Sequence, residues 1–446
     1  MVILGGAGVG AWLWFESRPE SKLGSSTVEF EPPPEPPRIR IPLARGTELP
    51  WRMYGYDRAR THYSPVHRHR PPFTAAWRVK VGGHLEYPAA VADGRVFLAQ
   101  HGGRILAIAG DTGEVLWERK YPNCSASSPL IHEGVVYQTL LPSPCQYGPR
   151  NEPGLLVALE PETGKELWRF RGSGPSESSP LVVDGVLYFG SWDGRVYALD
   201  LKTRKLRWST ATDGEVHTSP AYAGGSIYVG TNGGSIYALD ARTGAVAWQG
   251  RSYSHFPGGR EYFYATPTVA YGRVYAGNTD GWVYSYGAKT GNLIWAQRAG
   301  TYVYTAPAVW NRTVYVGTYD GFVHAFDAAS GRLRWKWEAW GSIHGAPTVM
   351  NGLVYFSVCG ICGHRGSRYA KRGAPGTFAL DASTGKLAWR FYDGRYSPIV
   401  ADEDRVYLTA RGRIWGLDPC PSRATPNRVR PYQGLLRRCG APARKP

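Results

Sequence analysis

From Pro88 onward the chain alternates apolar and polar positions in short runs, each bounded by glycine, proline, aspartate or asparagine. Alternation of period two between such turn signals predicts half-buried β-strands, not helices. The runs recur in groups. GSWDGRVYALDLKTRKLRW, Gly190 to Trp208, is followed by GTNGGSIYALDARTGAVAW, Gly230 to Trp248, and later by GTYDGFVHAFDAASGRLRW, Gly317 to Trp335. Groups open on Pro88, Pro129, Pro180, Pro220, Pro267, Pro307, Pro347 and Pro398. All but the last close on a tryptophan: Trp117, Trp168, Trp208, Trp248, Trp295, Trp335 and Trp389. Regular copies, such as Pro180 to Pro220, span 40 residues. That period, with four short strands per copy, predicts β-propeller blades.

Each repeated residue has a mechanical role. Asp200 ends a strand, where its carboxylate is placed to accept backbone N–H bonds from the next turn. Thr243-Gly244 and Thr384-Gly385 supply a hydroxyl and a residue tolerant of positive φ. The tryptophan wedges between neighbouring sheets, contributing about 3 kcal/mol per copy by burial. Ala109, Glu160 and Gly287 stand where other copies carry aspartate, and Arg204 replaces the turn glycine. The last copy stops without a fourth strand, whereas Trp77, in FTAAWRVKV, precedes the first proline. The expected fold is therefore all-β: an eight-bladed propeller of four-stranded antiparallel blades, its last blade closed by an N-terminal strand that removes the exposed edge.

The repeats VYALDLKTRKLRW and FALDASTGKLAW, together with the opening WRMYGYDRARTHYSP from Trp51 to Pro65, resemble the pyrroloquinoline-quinone (PQQ) propeller superfamily over about Trp51 to Asp418. That resemblance implies either a quinoprotein dehydrogenase or a non-catalytic scaffold, a group that includes a membrane-tethered assembly factor of the Gram-negative envelope. The dehydrogenases typically carry a vicinal disulfide, a calcium ligand set and an aspartate base. No Cys-Cys pair exists here, and Asp193, Asp280 and Asp320 all sit beside glycine in hairpin turns, where aspartate is the usual turn residue. No catalytic or metal-binding set transfers. The expectation is a binding or scaffold protein; the alternative is a divergent PQQ-dependent alcohol or sugar dehydrogenase using PQQ and Ca2+.

Three insertions map to one rim: LLPSPCQYGPRNEPG in blade 2, QGRSYSHFPGGREYFYAT between blades 4 and 5, and CGICGHRGSRYAKRGAPG in blade 7. This face is expected to contact a protein partner or a small ligand. Residues three places before each blade proline should ring the channel mouth. Leu85 and Ala126 are apolar; Glu177, His217, Tyr264, Tyr304, His344 and Arg395 are the candidate ligands of a polar, aromatic funnel. His217 and His344 lie too far apart across the ring to share a metal. Six cysteines suggest disulfides. Cys124 and Cys145 reach the insertion rim, Cys359 and Cys362 form CGIC in a hairpin loop, and Cys420 and Cys439 would close the tail on itself. The CGIC loop lacks the strand-to-helix setting of a thioredoxin-like motif and the histidine directly after the second cysteine that haem attachment needs.

Charge and the termini complete the outline. The formal net charge is +17, and Arg423, Arg428, Arg430, Arg437, Arg438, Arg444 and Lys445 follow Cys420 with no acid among them. This reads as a solvated basic tail over 421–446; no basic, aromatic-interleaved stripe points to nucleic acid. Residues 1–15, MVILGGAGVGAWLWF, are uncharged and mostly apolar. As a helix they reach roughly 22 Å against a ~30 Å hydrocarbon core, so they read as a short membrane anchor or a clipped signal-anchor. A Pro-rich linker over 16–50 would then carry the propeller, 51–420, outside the cytoplasm.

Overall fold

The computed structural model describes residues 21–31, 50–142, 152–253, 261–339, 341–359 and 376–420. Every strand among them belongs to one of eight sheets, and the sheets form an eight-bladed propeller. Blade 3 shows the pattern: Leu181–Val183 innermost, then Val186–Gly190, Arg195–Asp200 and Lys205–Ala211 outermost, each antiparallel to its neighbour. Blade 8 pairs Gly394–Ala401, Val406–Ala410 and Arg413–Pro419 and takes its outer strand from Phe73–Lys80. Trp77 faces Gly416 and Val79 faces Ile414. The ring is closed by the N-terminal strand, as counting the repeats predicts.

The tryptophans show what locks the ring. Each stands opposite a small residue of the third strand: Trp117 faces Ala107, Trp208 faces Ala198, Trp248 faces Ala238 and Trp295 faces Ser285. The indole then leans onto the next blade, donating from Nε1 to a turn carbonyl there. Trp208 reaches Ala241 O at 3.0 Å, Trp248 reaches Ala288 O at 2.9 Å, Trp295 reaches Ala328 O at 3.0 Å, and Trp77 reaches Gly110 O of blade 1 at 2.9 Å. The turn glycine has a second role beyond its φ of 75° at Gly244: a Cβ there would come within 2.6 Å of the Trp208 ring. Where Arg204 replaces that glycine, its guanidinium covers the Trp168 ring, 5.8 Å from the centroid. The carboxylates act as expected, Asp200 Oδ1 accepting from Thr203 N at 2.7 Å and Asp240 Oδ1 from Thr243 N at 2.7 Å.

The gap at Gly287 has a structural partner. Residues 21–31, part of the stretch read as a spacer, lie along the outside of blade 5 as a strap. Lys22 pairs antiparallel with Ala296 of the outer strand, N to O at 3.0 Å in both directions. Glu29 enters the space that a side chain at 287 would fill, and its carboxylate accepts from Thr290 Oγ1 at 2.6 Å. It thus does for blade 5 what Asp200 and Asp240 do for their own turns. Arg273, fully buried, clasps the strap by donating to the carbonyls of Ser25, Val28 and Glu29, and to Ala328 and Ala329 of blade 6. Residues 16–20 and 32–49, the apolar residues 1–15 and the basic residues 421–446 lie outside the described residues. Among those described, no helix is long and apolar enough to cross a membrane.

The central channel has a floor, which the sequence did not suggest. Residues 51–64 run around it and bond the inner strands one by one. Val91 N reaches Trp51 O, Ile131 N reaches Arg52 O, Tyr222 N reaches Arg58 O, Val269 N reaches Ala59 O, Val309 N reaches Thr61 O and Val349 N reaches His62 O, all within 2.7 to 2.9 Å. Tyr63–Ser64 then pairs parallel with Thr348–Met350 of blade 7. Donors that would otherwise face an open pore are satisfied. Arg60, fully buried, ties the segment together by donating to Pro220 O at 2.8 Å, Ser179 O, Pro180 O and Tyr54 O.

Candidate functional site

The loops entering the inner strands bring Glu177, His217, Tyr264, Tyr304 and His344 into one continuous cluster at the channel mouth. Glu177 accepts from His217 Nδ1 and from the Tyr264 hydroxyl. The other nitrogen of His217 meets Glu215 at 2.9 Å. The rings form a curved row. Trp192 lies 4.8 Å from His217, His217 is 4.8 Å from Tyr264, Tyr264 stacks on Tyr304 at 4.4 Å, and Tyr304 stacks on His344 at 4.5 Å. His344 closes the row, with Nε2 on Glu86 Oε1 at 2.7 Å and Nδ1 on the Tyr319 hydroxyl at 2.6 Å.

Arg395 is not drawn into this cluster. Blade 8's first strand breaks register between Gly394 and Ile399, and Tyr396, at a φ of 61°, makes the inward contacts, with His84 at 4.4 Å and His344 at 5.9 Å. In blade 1 the expected Leu85 is buried in the core and Glu86 takes the mouth position. Sequence reasoning also missed Trp192 and Tyr319. Both precede the Asp-Gly of a strand-joining turn on the same rim, which is the signal that would have found them.

At Glu86 and His217 burial opposes ionisation, yet their pairs outweigh it. Glu86 would be raised by desolvation, but hydrogen bonds from His344 and His84 hold it well below the ordinary carboxylate range. Burial likewise opposes a charged His217, and Glu177, then Glu215, lift its pKa above the usual imidazole value. Beneath the row lies a cavity of about 40 Å³, lined by Glu86, Tyr87, His217, Tyr264, Tyr304 and His344 above and by Tyr54 and His62 of the floor segment below. By the volume one water needs, it holds roughly three.

Cys124, Cys359 and Cys420 are disulfide-bonded; Cys145, Cys362 and Cys439, expected as their partners, lie outside the described residues, as do most residues of the three insertions. Beside the blade 4–5 insertion, half-buried Asp280 accepts from Trp282 N at 2.7 Å and from the Tyr284 hydroxyl. Burial pushes its pKa up to about 7, and Glu261 adds to the rise. The folded state therefore holds this proton more tightly than the unfolded chain. The stabilising contribution is complete below about pH 4 and is lost as pH rises toward 7. Asp280→Asn is expected to flatten stability between pH 5 and 8 and to gain on the order of 2 kcal/mol at pH 8, read from urea midpoints across that range.

The residues lining the cavity do not fit PQQ. The quinone is a tricyclic tricarboxylate, whereas the cavity presents the Glu86 carboxylate, has no lysine or arginine in its wall and encloses about 40 Å³. Among the described residues, no three histidine, cysteine, aspartate or glutamate side chains converge as a metal ion would require.

The family model for the outer membrane protein assembly factor BamB matches residues 72–139, 150–302 and 279–420. No curated protein matches the chain in sequence. Among solved structures, BamB from Moraxella catarrhalis is 17% identical over 80% of this chain and 100% of that one, with a TM-score of 0.61. Quinohemoprotein alcohol dehydrogenase from Comamonas testosteroni is 13% identical over 85% and 82%, TM-score 0.64. Quinohemoprotein alcohol dehydrogenase ADHIIG from Pseudomonas putida HK5 is 12% identical over 86% and 82%, TM-score 0.65. At these identities the likeness to the solved structures is one of fold.

Proposed function

Since the chain belongs to the PQQ-repeat propeller family described by the outer membrane protein assembly factor BamB, we propose that it is a non-catalytic binding protein of the cell envelope. Its loop-bearing face holds a protein partner, and its N-terminal segment tethers it to a membrane with the propeller outside the cytoplasm. The observation that carries this reading is the floor laid by residues 51–64. It closes one end of the channel, leaving a cup, and the other end lies on the rim where the described ends of the three insertions emerge. Elaborated loops around a blind recess suit recognition.

Placement of a photo-crosslinking residue tests the reading. At exposed Thr301 on the mouth rim it is expected to trap a discrete partner in intact envelopes, and at exposed Asp184, in a turn on the opposite face, it is not. Equal trapping from both positions sinks the assignment of the face. A second reading, a divergent PQQ-dependent alcohol or sugar dehydrogenase, is favoured by the fold likeness to the two quinohemoprotein dehydrogenases. Loading the purified chain with PQQ and Ca2+ is expected to give no dye-linked oxidation of alcohols or sugars; turnover would replace the first reading with the second.

A further inference from the structure

The cup's wall combines aromatic rings with one carboxylate, the imidazoles of His62, His217 and His344, and the hydroxyls of Ser219 and Thr266. Its wall carries the Glu86 carboxylate and the rings of Tyr54, Tyr87, Tyr264 and Tyr304, and no lysine or arginine. Glu177 and Glu215 add two further carboxylates around His217. Arg60 in the floor segment, 5.8 Å from the Tyr54 ring, is engaged by main-chain carbonyls. At the bottom of the cavity His62 is 3% exposed, and its Nε2 is buried without a hydrogen-bond partner. Burial, reinforced by the charge on Arg60, drives the His62 pKa down to about 3, so the ring is neutral and in its Nδ1–H tautomer offers Nε2 as an acceptor.

We propose that the cup binds the guanidinium of an arginine side chain presented by the protein partner. A planar cation with five N–H donors matches a small recess of carboxylate, phenol and orphaned imidazole nitrogen. Its charge is met by Glu86 and by the faces of the surrounding tyrosines, which attract cations most strongly when water is excluded. The inference rests on the partner-binding reading and names the chemistry the partner must carry.

Calorimetric titration with N-acetyl-arginine methylamide tests it, with the citrulline analogue as the neutral isostere. The arginine probe is expected to bind saturably, one per chain, and at least tenfold more tightly than citrulline. Glu86→Gln is expected to remove most of that preference while the thermal midpoint shows a folded ring; Glu177→Gln serves as a second variant should Glu86→Gln fail to fold. Equal binding of the two probes, no saturation in the millimolar range, or full retention of the preference in either folded variant overturns the proposal. The outcomes separate from those of the cross-linking. Trapping at Thr301 without arginine binding removes the inference and leaves the partner-binding reading, whereas arginine binding without trapping leaves a guanidinium site and removes the protein partner as its source.

Discussion

Replacing Arg60 with methionine is expected to destabilise the propeller by roughly 3–5 kcal/mol, because a fully buried cation leaves behind carbonyls that nothing else can reach. Its guanidinium joins Pro220, Ser179 and Pro180 of blades 3 and 4 to Tyr54 of the floor segment. In return, its own carbonyl accepts from Thr268 of blade 5 at 2.9 Å. Burial lowers the Arg60 pKa only to about 10, so the group stays charged at neutral pH. Lysine should recover little, since one ammonium cannot span carbonyls held in a fork. Urea denaturation reads the effect as a lower midpoint at unchanged slope. An unmoved midpoint would mean that the floor is an appendage and that the cup has no fixed bottom.

Trp295→Ala should cost a similar amount, roughly 3–5 kcal/mol, by opening a cavity between blades 5 and 6. Trp208→Ala should cost about half as much, because its indole is only half-buried. The difference lies in the strap. Trp295 is 0% exposed, against 9% for Trp117 and Trp248, and a Cβ on strap residue Gly24 would touch its Cδ1 at 3.0 Å. Removing residues 1–31 should therefore bring the cost of Trp295→Ala down to that of Trp208→Ala. Equal costs in the full chain would show that the strap adds nothing to this wedge.

The blades were legible because each repeated letter has a separate physical task. A small residue faces the indole, a glycine lies under it, and an aspartate ties the turn. Closure followed from one surplus tryptophan, Trp77, and one missing strand. The mouth was legible as far as the offset from the blade proline held. It failed at Arg395 because Tyr396 adopts a positive φ, which its letters do not announce, and at Leu85 because the offset slips by one residue to Glu86. The floor was invisible for a different reason. WRMYGYDRARTH has no period, since residues 51–62 bond six inner strands one contact at a time. The strap escaped notice because its apolar residues do not alternate, Leu23 and Val28 being 50% and 46% exposed, and because it depends on a vacancy at Gly287.

The clasp at Arg273 also decides how the molecule carries a mechanical load. A pull on the chain ahead of Lys22 is borne first by the Lys22–Ala296 pair and by the carbonyls of Ser25, Val28 and Glu29. Only after these, and then the floor bonds of residues 51–64, give way does tension reach the seam where Phe73–Lys80 seals blade 8. The strap is thus a strain relief, sparing the one joint whose peeling would unzip the ring.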